Sequence, residues 1–278
     1  MKVRFWGTRG GFPVTGPDVL RFGGNTCALE FTNRAGLRLL VDLGSGAIGL
    51  GRALMAAEFS KGQGMLPILL SHTQLEHTQG LPFFVPFFVP GNRIDIYGAA
   101  SEGQPLHNTL EDLLNHHYSP INSLENLFAQ VQIHELAANH AIEVNGFTIH
   151  AIQLPHGNAP TIGFRVQADD QAIGVFTAVD YGVAPVPAQI VDFVRGVDLL
   201  IHDNMSGDDR APGVYAHGQA TAQQAISVAE QAGARRCALF HHAPDATDAL
   251  IEKSVLVMQE LTKIELFAAA EGQVVDLG

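Results

Sequence analysis

Residues 65–80 constrain this chain more than any other stretch. Met65-Leu66-Pro67-Ile68-Leu69-Leu70 is an uninterrupted apolar run of the kind that forms a buried strand. It is followed at once by Ser71-His72-Thr73-Gln74-Leu75-Glu76-His77-Thr78-Gln79-Gly80. His72 therefore falls where the strand emerges, and Gln74, Glu76 and His77 crowd the turn and the start of the next helix. Imidazole, carboxylate and amide oxygen all donate to metal ions, and four such side chains within six residues at a strand end suit one. The competing reading is a polar strand-to-helix turn that happens to hold two histidines. Spacing elsewhere favours the metal. His156, Asp180 and His241 each follow another apolar, strand-like run, so donors from distant parts of the chain converge at strand ends.

The remaining pattern alternates strands and helices. Strands are predicted over residues 2–6, 26–31 and 37–43, with a Gly- and Pro-rich loop at 7–24. A helix follows over 47–58, with Leu50, Leu54 and Met55 on one side. Residues 81–90 read as a short helix and its exit, limited by their prolines, with the aromatic stripe assigned to the core. A short strand at 94–97 precedes a helix over 106–117 that continues irregularly to about residue 130. Strands at 131–136, 147–154, 162–167 and 172–177 form a meander. Then come a helix at 188–194, a strand at 197–202, a helix at 219–232 capped by Gly233, a strand at 236–240, a helix at 245–262, and strands at 264–268 and 273–275. No linker interrupts the series, and its two halves look alike in element order. One domain over residues 1–278, with two mixed sheets face to face and helices outside, accommodates it.

Composition narrows the function. A chain of 278 residues, 46% hydrophobic, can fill such a core. A net charge of −12, with only 16 Lys and Arg, opposes binding to a nucleic acid polymer. Cys27 and Cys237 lie in strand-like segments and read as small buried hydrophobes. They leave no disulfide framework, which points to a reducing, cytoplasmic compartment. No basic-then-apolar leader opens the chain, and no apolar run reaches the roughly 18 residues that span a bilayer.

The stretch after the strand resembles the H-x-H-x-D-H signature of the metallo-β-lactamase superfamily, with Gln74 in place of the second histidine and Glu76 in place of the aspartate. Trp6-Gly7-Thr8-Arg9-Gly10 resembles the first hairpin of the ribonuclease Z and cyclic-phosphodiesterase branch, and Val41-Asp42-Leu43-Gly44-Ser45-Gly46 its D-x-G-x-G turn. Ile201-His202-Asp203 and Leu239-Phe240-His241-His242-Ala243-Pro244 resemble its late motifs. The resemblance implies an α/β fold, the four-layer αβ/βα sandwich. It also implies one or two divalent ions, zinc first, with manganese or iron as alternatives. Carried over, one metal position uses His72, Gln74 and His156, the second uses Glu76, His77 and His241, and Asp180 bridges them.

The departures carry their own expectations. A carboxamide is a harder and weaker donor than imidazole, so Gln74 weakens the first position or turns it towards a harder metal. Glu76 keeps the charge and reaches about a bond length further, as a ligand or as the base that holds the attacking water. His217, in Ala216-His217-Gly218, resembles the branch's extra histidine at a helix start. It is expected to protonate a leaving alkoxide, with Asp203 as its acidic partner. His202 and His242 read as supporting residues, and His116, His117 and Tyr118 as surface groups at the end of a helix.

These expectations describe a metal-dependent hydrolase acting on a small or cyclic nucleotide-like phosphodiester through a metal-activated water. A one-metal hydrolase of a lactone or thioester is one alternative, and a catalytically weak metal-binding or sensory domain another. The branch's exosite arm, a Gly-Pro-rich basic insertion, has no counterpart in composition here, which argues against transfer RNA. The expected partner is a small-molecule substrate, with no membrane, and a homodimer is compatible with the chain.

Overall fold

Val3 and Phe5 are fully buried while Lys2 is exposed, so the pleat of the first strand fixes which face meets the core. In this computed structural model, which describes residues 1–100, 103–117, 119–157, 160–182, 185–205 and 220–278, that strand is β1 (Lys2–Gly7). It is followed by β2 (Ala28–Thr32), β3 (Arg38–Val41), α1 (Gly46–Leu54), β4 (Met65–Leu69), the one-turn helix α2 (Leu75–Thr78), β5 (Arg93–Gly98), α3 (Leu106–Leu113) and β6 (Gln130–Glu135). The second half runs through β7 (Ala141–Val144), β8 (Phe147–Leu154), β9 (Thr161–Ala168), β10 (Gln171–Phe176), α4 (Ala188–Phe193), β11 (Leu199–Asp203), α5 (Ala222–Ala232), β12 (Arg236–Phe240), α6 (Asp248–Gln259), β13 (Glu265–Ala268) and β14 (Val274–Asp276).

Among the described residues these strands form two seven-stranded sheets, ordered β14-β1-β2-β3-β4-β5-β6 and β13-β12-β11-β10-β9-β8-β7. In the first, β14 to β3 pair antiparallel and β3 to β6 parallel. In the second, β7 to β10 pair antiparallel and β10 to β13 parallel. The likeness of the two halves in element order is thus a likeness of topology. Phe5, Phe31, Phe147, Phe164, Ile201 and Phe240 fill the space between the sheets. Leu50, Ile68, Phe84 and Leu110 join α1 and α3 to the outer face of the first sheet. Ile190, Ala225, Cys237 and Met258 join α4, α5 and α6 to the outer face of the second. Each fully buried large apolar side chain contributes about 1.5–3 kcal/mol, and four layers is the arrangement that buries them all.

The local differences from the sequence reading have local causes. Residues 81–90 make two 3₁₀ turns, Leu81–Phe83 and Val85–Phe88, each with a proline in its first turn. Phe84 and Phe87 are core residues, as read. The helix expected from residue 219 starts at Ala222, because Thr221 and Gln224 exchange bonds in a capping box. His217 lies outside the described residues, as does Tyr118. No helix among the described residues is long and apolar enough to cross a membrane.

One loop stitches the sheets together. The backbone of Arg9 bridges to Thr26 on one side and to His242 on the other. Its buried guanidinium donates to the carbonyls of Gly23 at 2.7 Å, Ala243 at 3.0 Å and Ala246 at 2.6 Å. His242 is buried here, donating from Nε2 to the carbonyl of Ala269 at 2.9 Å. Burial pushes its imidazole down to about 4. Above about pH 6.5 the ring is neutral in both the folded and the unfolded chain. As the pH falls towards 4, the unfolded chain takes up a proton that the fold refuses, so stability is lost. From pH 7 to pH 5 wild type should lose about 2 kcal/mol more than His242→Gln. Urea unfolding of both proteins at the two pH values checks this, and equal losses would refute it.

Candidate metal centre

The site forms where β4, β11 and β12 end, beside the loops that leave β8 and β1. The carbonyl of Ser71, the second residue past β4, accepts from the Ile162 N–H of the opposite sheet at 2.7 Å. Asp42 follows β3 in the left-handed region, at φ 64°, and turns its buried carboxylate towards the same place. That carboxylate accepts from Ser71 N at 2.8 Å, from Ser71 Oγ at 3.0 Å and from His77 Nδ1 at 2.8 Å. A carboxylate only accepts, so His77 Nδ1 carries a proton and Nε2 is the ring atom left to face a metal. His241 repeats the device. It stands at φ 60° and donates from Nδ1 to Asp203 Oδ1 at 3.1 Å. Asp203 is held by the backbone N–H groups of Val179 at 3.0 Å and Met205 at 2.9 Å.

The result is a group of buried nitrogens without protein partners: His72 Nε2, His77 Nε2, His156 Nδ1 and His241 Nε2. The ring centroids of His72 and His77 are 4.0 Å apart, those of His72 and His156 5.1 Å, and those of His77 and His241 5.3 Å. Glu76 Oε1 lies 3.7 Å from His241 Nε2 and 4.0 Å from His77 Nε2. A buried polar atom left unpaired costs about 1–3 kcal/mol, so four of them converging beside a carboxylate call for a cation. Imidazole and carboxylate donors in this arrangement fit a divalent ion. Two sets of donor atoms lie within 4.8 Å of one another, Cys27 with His77 and His241, and His72 with Glu76 and His77. His77 belongs to both.

The electrostatics agree. Burial opposes charge on His77, but Cys27 and the Asp42 carboxylate outweigh it and raise the ring to about 10. Burial also opposes charge on His241, where Cys27 and Asp203 hold the ring well above its usual value. Burial and the neighbouring His77 and His156 push His72 well below its usual value. Glu76, against its own burial, is held at about 2 by His241 and His77. Positive charge is therefore favoured where the rings meet, and a divalent ion takes the place of those protons and releases them. Gly10 packs flat on the ring, since a Cβ there would come within 2.7 Å of His241 Nε2.

The residues read from the sequence are distributed as follows. His72, Glu76, His77, His156 and His241 lie in the group just described. Gln74 is exposed at the start of α2, two residues from His72. Asp180 lies next to the His156 loop, its N–H donating to Pro155 O at 2.7 Å, while its Oδ1 accepts from Gly182 N at 2.7 Å. It joins neither close donor set among the described residues. His202 is a core histidine between the hydroxyl of Tyr181 at 3.0 Å and the carbonyl of Asp203 at 2.8 Å. His116 and His117 are exposed. Two residues escaped the sequence reading. Cys27 passed as another apolar strand residue. Asp42 was visible in the D-x-G-x-G turn, but its partner lies 35 residues away.

A family model described as a beta-lactamase superfamily domain matches residues 38–242. A ribonuclease Z from Halorubrum lacusprofundi is 25% identical, over 87% of this chain and 86% of its own length. Among solved structures, the metallo-beta-lactamase fold protein YhfI from Bacillus subtilis superposes with a TM-score of 0.73 at 18% identity, covering 99% of this chain and 98% of that one. A diphosphatase from the PhnP family gives a TM-score of 0.63 at 19% identity, covering 99% and 97%.

Proposed function

The chain belongs to the β-lactamase superfamily and is a metal-dependent hydrolase, and we propose that its substrate is a small phosphodiester of the cyclic or nucleotide-like kind. The observation that carries this reading is the convergence of four unpartnered ring nitrogens beside the ionised Glu76. A centre that favours positive charge attracts an anionic ester and stabilises the charge that develops on it. The relative named a ribonuclease and the structural neighbour named a diphosphatase both point to phosphate chemistry. The acidic surface, at net −12, favours a small anion over an RNA chain.

A bound divalent ion would supply Lewis acidity and a water of lowered pKa. His72 and His156, with Gln74, would hold one position, and His77, His241 and Glu76 the other. Asp42 and Asp203 keep the imidazoles of His77 and His241 in the tautomer that offers Nε2. Asp180 remains the proposed bridging group, and His217 the proposed proton donor to the leaving oxygen. Both roles proceed from the resemblance. The reading takes residues 1–278 as one domain, with zinc as the resident metal. Because Gln74 is exposed and Asp180 is turned to Gly182, the position of His72 and His156 should be the weaker. Elemental analysis of protein purified without chelator should give nearer one ion per chain than two, and two equal zinc ions would contradict this.

Turnover of bis-p-nitrophenyl phosphate and of cyclic nucleotides by the metal-loaded protein tests the substrate class, beside a structured RNA and a panel of lactones and thioesters. Phosphodiester turnover that chelation abolishes supports the reading. Turnover confined to lactones or thioesters overturns the phosphate assignment, and a preference for the RNA overturns the small substrate.

A further inference from the structure

We propose that Cys27 is a metal ligand: its Sγ, with the Nε2 atoms of His77 and His241, forms a thiolate site for zinc, with the Glu76 carboxylate beside it. This rests on the metal-centre reading above and goes beyond it, since neither the sequence signature nor its late motifs include a residue of the second strand's approach. Cys27 is fully buried, immediately before β2. Its ligand atom lies within 4.8 Å of those of His77 and His241. The independent sign of a ligand is on the histidines, both of whose Nε2 atoms are buried without a partner. Glu76 Oε1 lies beside them, 3.7 Å and 4.0 Å from those same two nitrogens, in the neighbouring donor set with His72 and His77. Donors bonded to a tetrahedral zinc stand roughly 3.3–3.8 Å apart, so the Glu76 separations are near that range and the Cys27 group, within 4.8 Å, has at most about 1 Å to close on binding.

The thiol's other engagement is weak. Cys27 Sγ donates to the carbonyl of Arg9 at 3.5 Å, a long contact for a poor donor. On binding zinc the S–H proton leaves to solvent, the hydrogen bond to Arg9 is given up, and the sulfur–metal bond forms. The imidazoles give up their Nε2 protons to solvent in the same event, while Asp42 and Asp203 hold the other proton of each ring on Nδ1. Sulfur also changes the metal preference. A neutral amide at position 74 makes the neighbouring position harder, whereas a thiolate makes this one softer and selects zinc over manganese or magnesium. The two positions would therefore differ in kind as well as in occupancy.

Cobalt substitution of the full chain tests this without reference to turnover. Wild type loaded with Co(II) should show a near-ultraviolet thiolate-to-cobalt charge-transfer band beside the visible bands of a tetrahedral ion. Cys27→Ser should lose the charge-transfer band. Cys237→Ser, altered in a different buried cluster, should keep it. Zinc affinity of Cys27→Ser, in competition with a chromophoric chelator, should fall by more than the roughly 10–100-fold typical of losing a residue behind a ligand. X-ray absorption of zinc-loaded wild type needs no variant and should show a sulfur neighbour at about 2.3 Å. Metal bound through nitrogen and oxygen alone would overturn the role of Cys27 and leave the metal centre standing. Failure of wild type to bind cobalt or zinc at all would overturn the centre itself.

Discussion

His77→Ala should leave the protein without metal at the position His77 shares with Glu76 and His241, and without activity towards any substrate. His77 is the one residue common to both close donor sets, so its loss breaks the Cys27–His241 group and the His72–Glu76 group together. Its removal leaves the fold supported. Asp42 keeps two of its three bonds, those from Ser71 N and Ser71 Oγ, so no buried carboxylate is abandoned. Turnover should fall by at least about 10³-fold, the ~4 kcal/mol that metal-ion stabilisation of developing charge supplies. Metal analysis beside near-ultraviolet circular dichroism separates loss of metal from loss of fold. A folded His77→Ala protein that retains a full complement of ions would show that the rings are packed together for some other reason.

Asp42→Asn should cost the most among residues that do not touch the metal. Asparagine tolerates the left-handed backbone at φ 64° and has nearly the shape of aspartate, so the fold should survive with little change in melting temperature. What changes is the partner offered to His77. An amide N–H₂ facing Nδ1 drives the ring proton to Nε2, where it occupies the lone pair that a metal needs. Metal affinity should fall roughly 10–100-fold, and activity at limiting metal should fall in step and recover when metal is added in excess. Titration with zinc checks this. Unaltered affinity would mean that Asp42 serves the turn and Ser71 alone. Asp42→Ala is the less informative change, because it also strains the left-handed position and strands Ser71.

Local patterns carried most of the fold. Apolar alternation and cap residues gave nearly every strand and helix, since each depends on neighbours in sequence. β7 was missed because Ala141–Val144 is only four residues long and lies at a sheet edge, with none of its residues fully buried. The signal that would have found it is Asn145-Gly146, both at positive φ, the pair that turns a tight hairpin into β8. In the site, His72, Glu76 and His77 were legible because they lie within one turn of each other. His156 and His241 were legible because each follows a strand. The part of Cys27 was not legible. An apolar strand reads the same whether a sulfur faces leucines or imidazoles, and only the approach of β2 to the ends of β4 and β12 distinguishes the two.

The donors come from opposite sheets: Cys27, Glu76 and His77 hang from the first, His156 and His241 from the second. An ion held between them is a cross-brace. Side-chain rotation alone cannot free it, because the rings of His77 and His241 are fully buried and fixed from behind by Asp42 and Asp203. Release then has to wait for the layers to part. Extraction by a chelator should run at the rate of that opening, and should stop accelerating once chelator is in excess. The brace works in the other direction too. Each hundredfold excess of ion over its dissociation constant adds about 2.7 kcal/mol to the cost of separating the sheets.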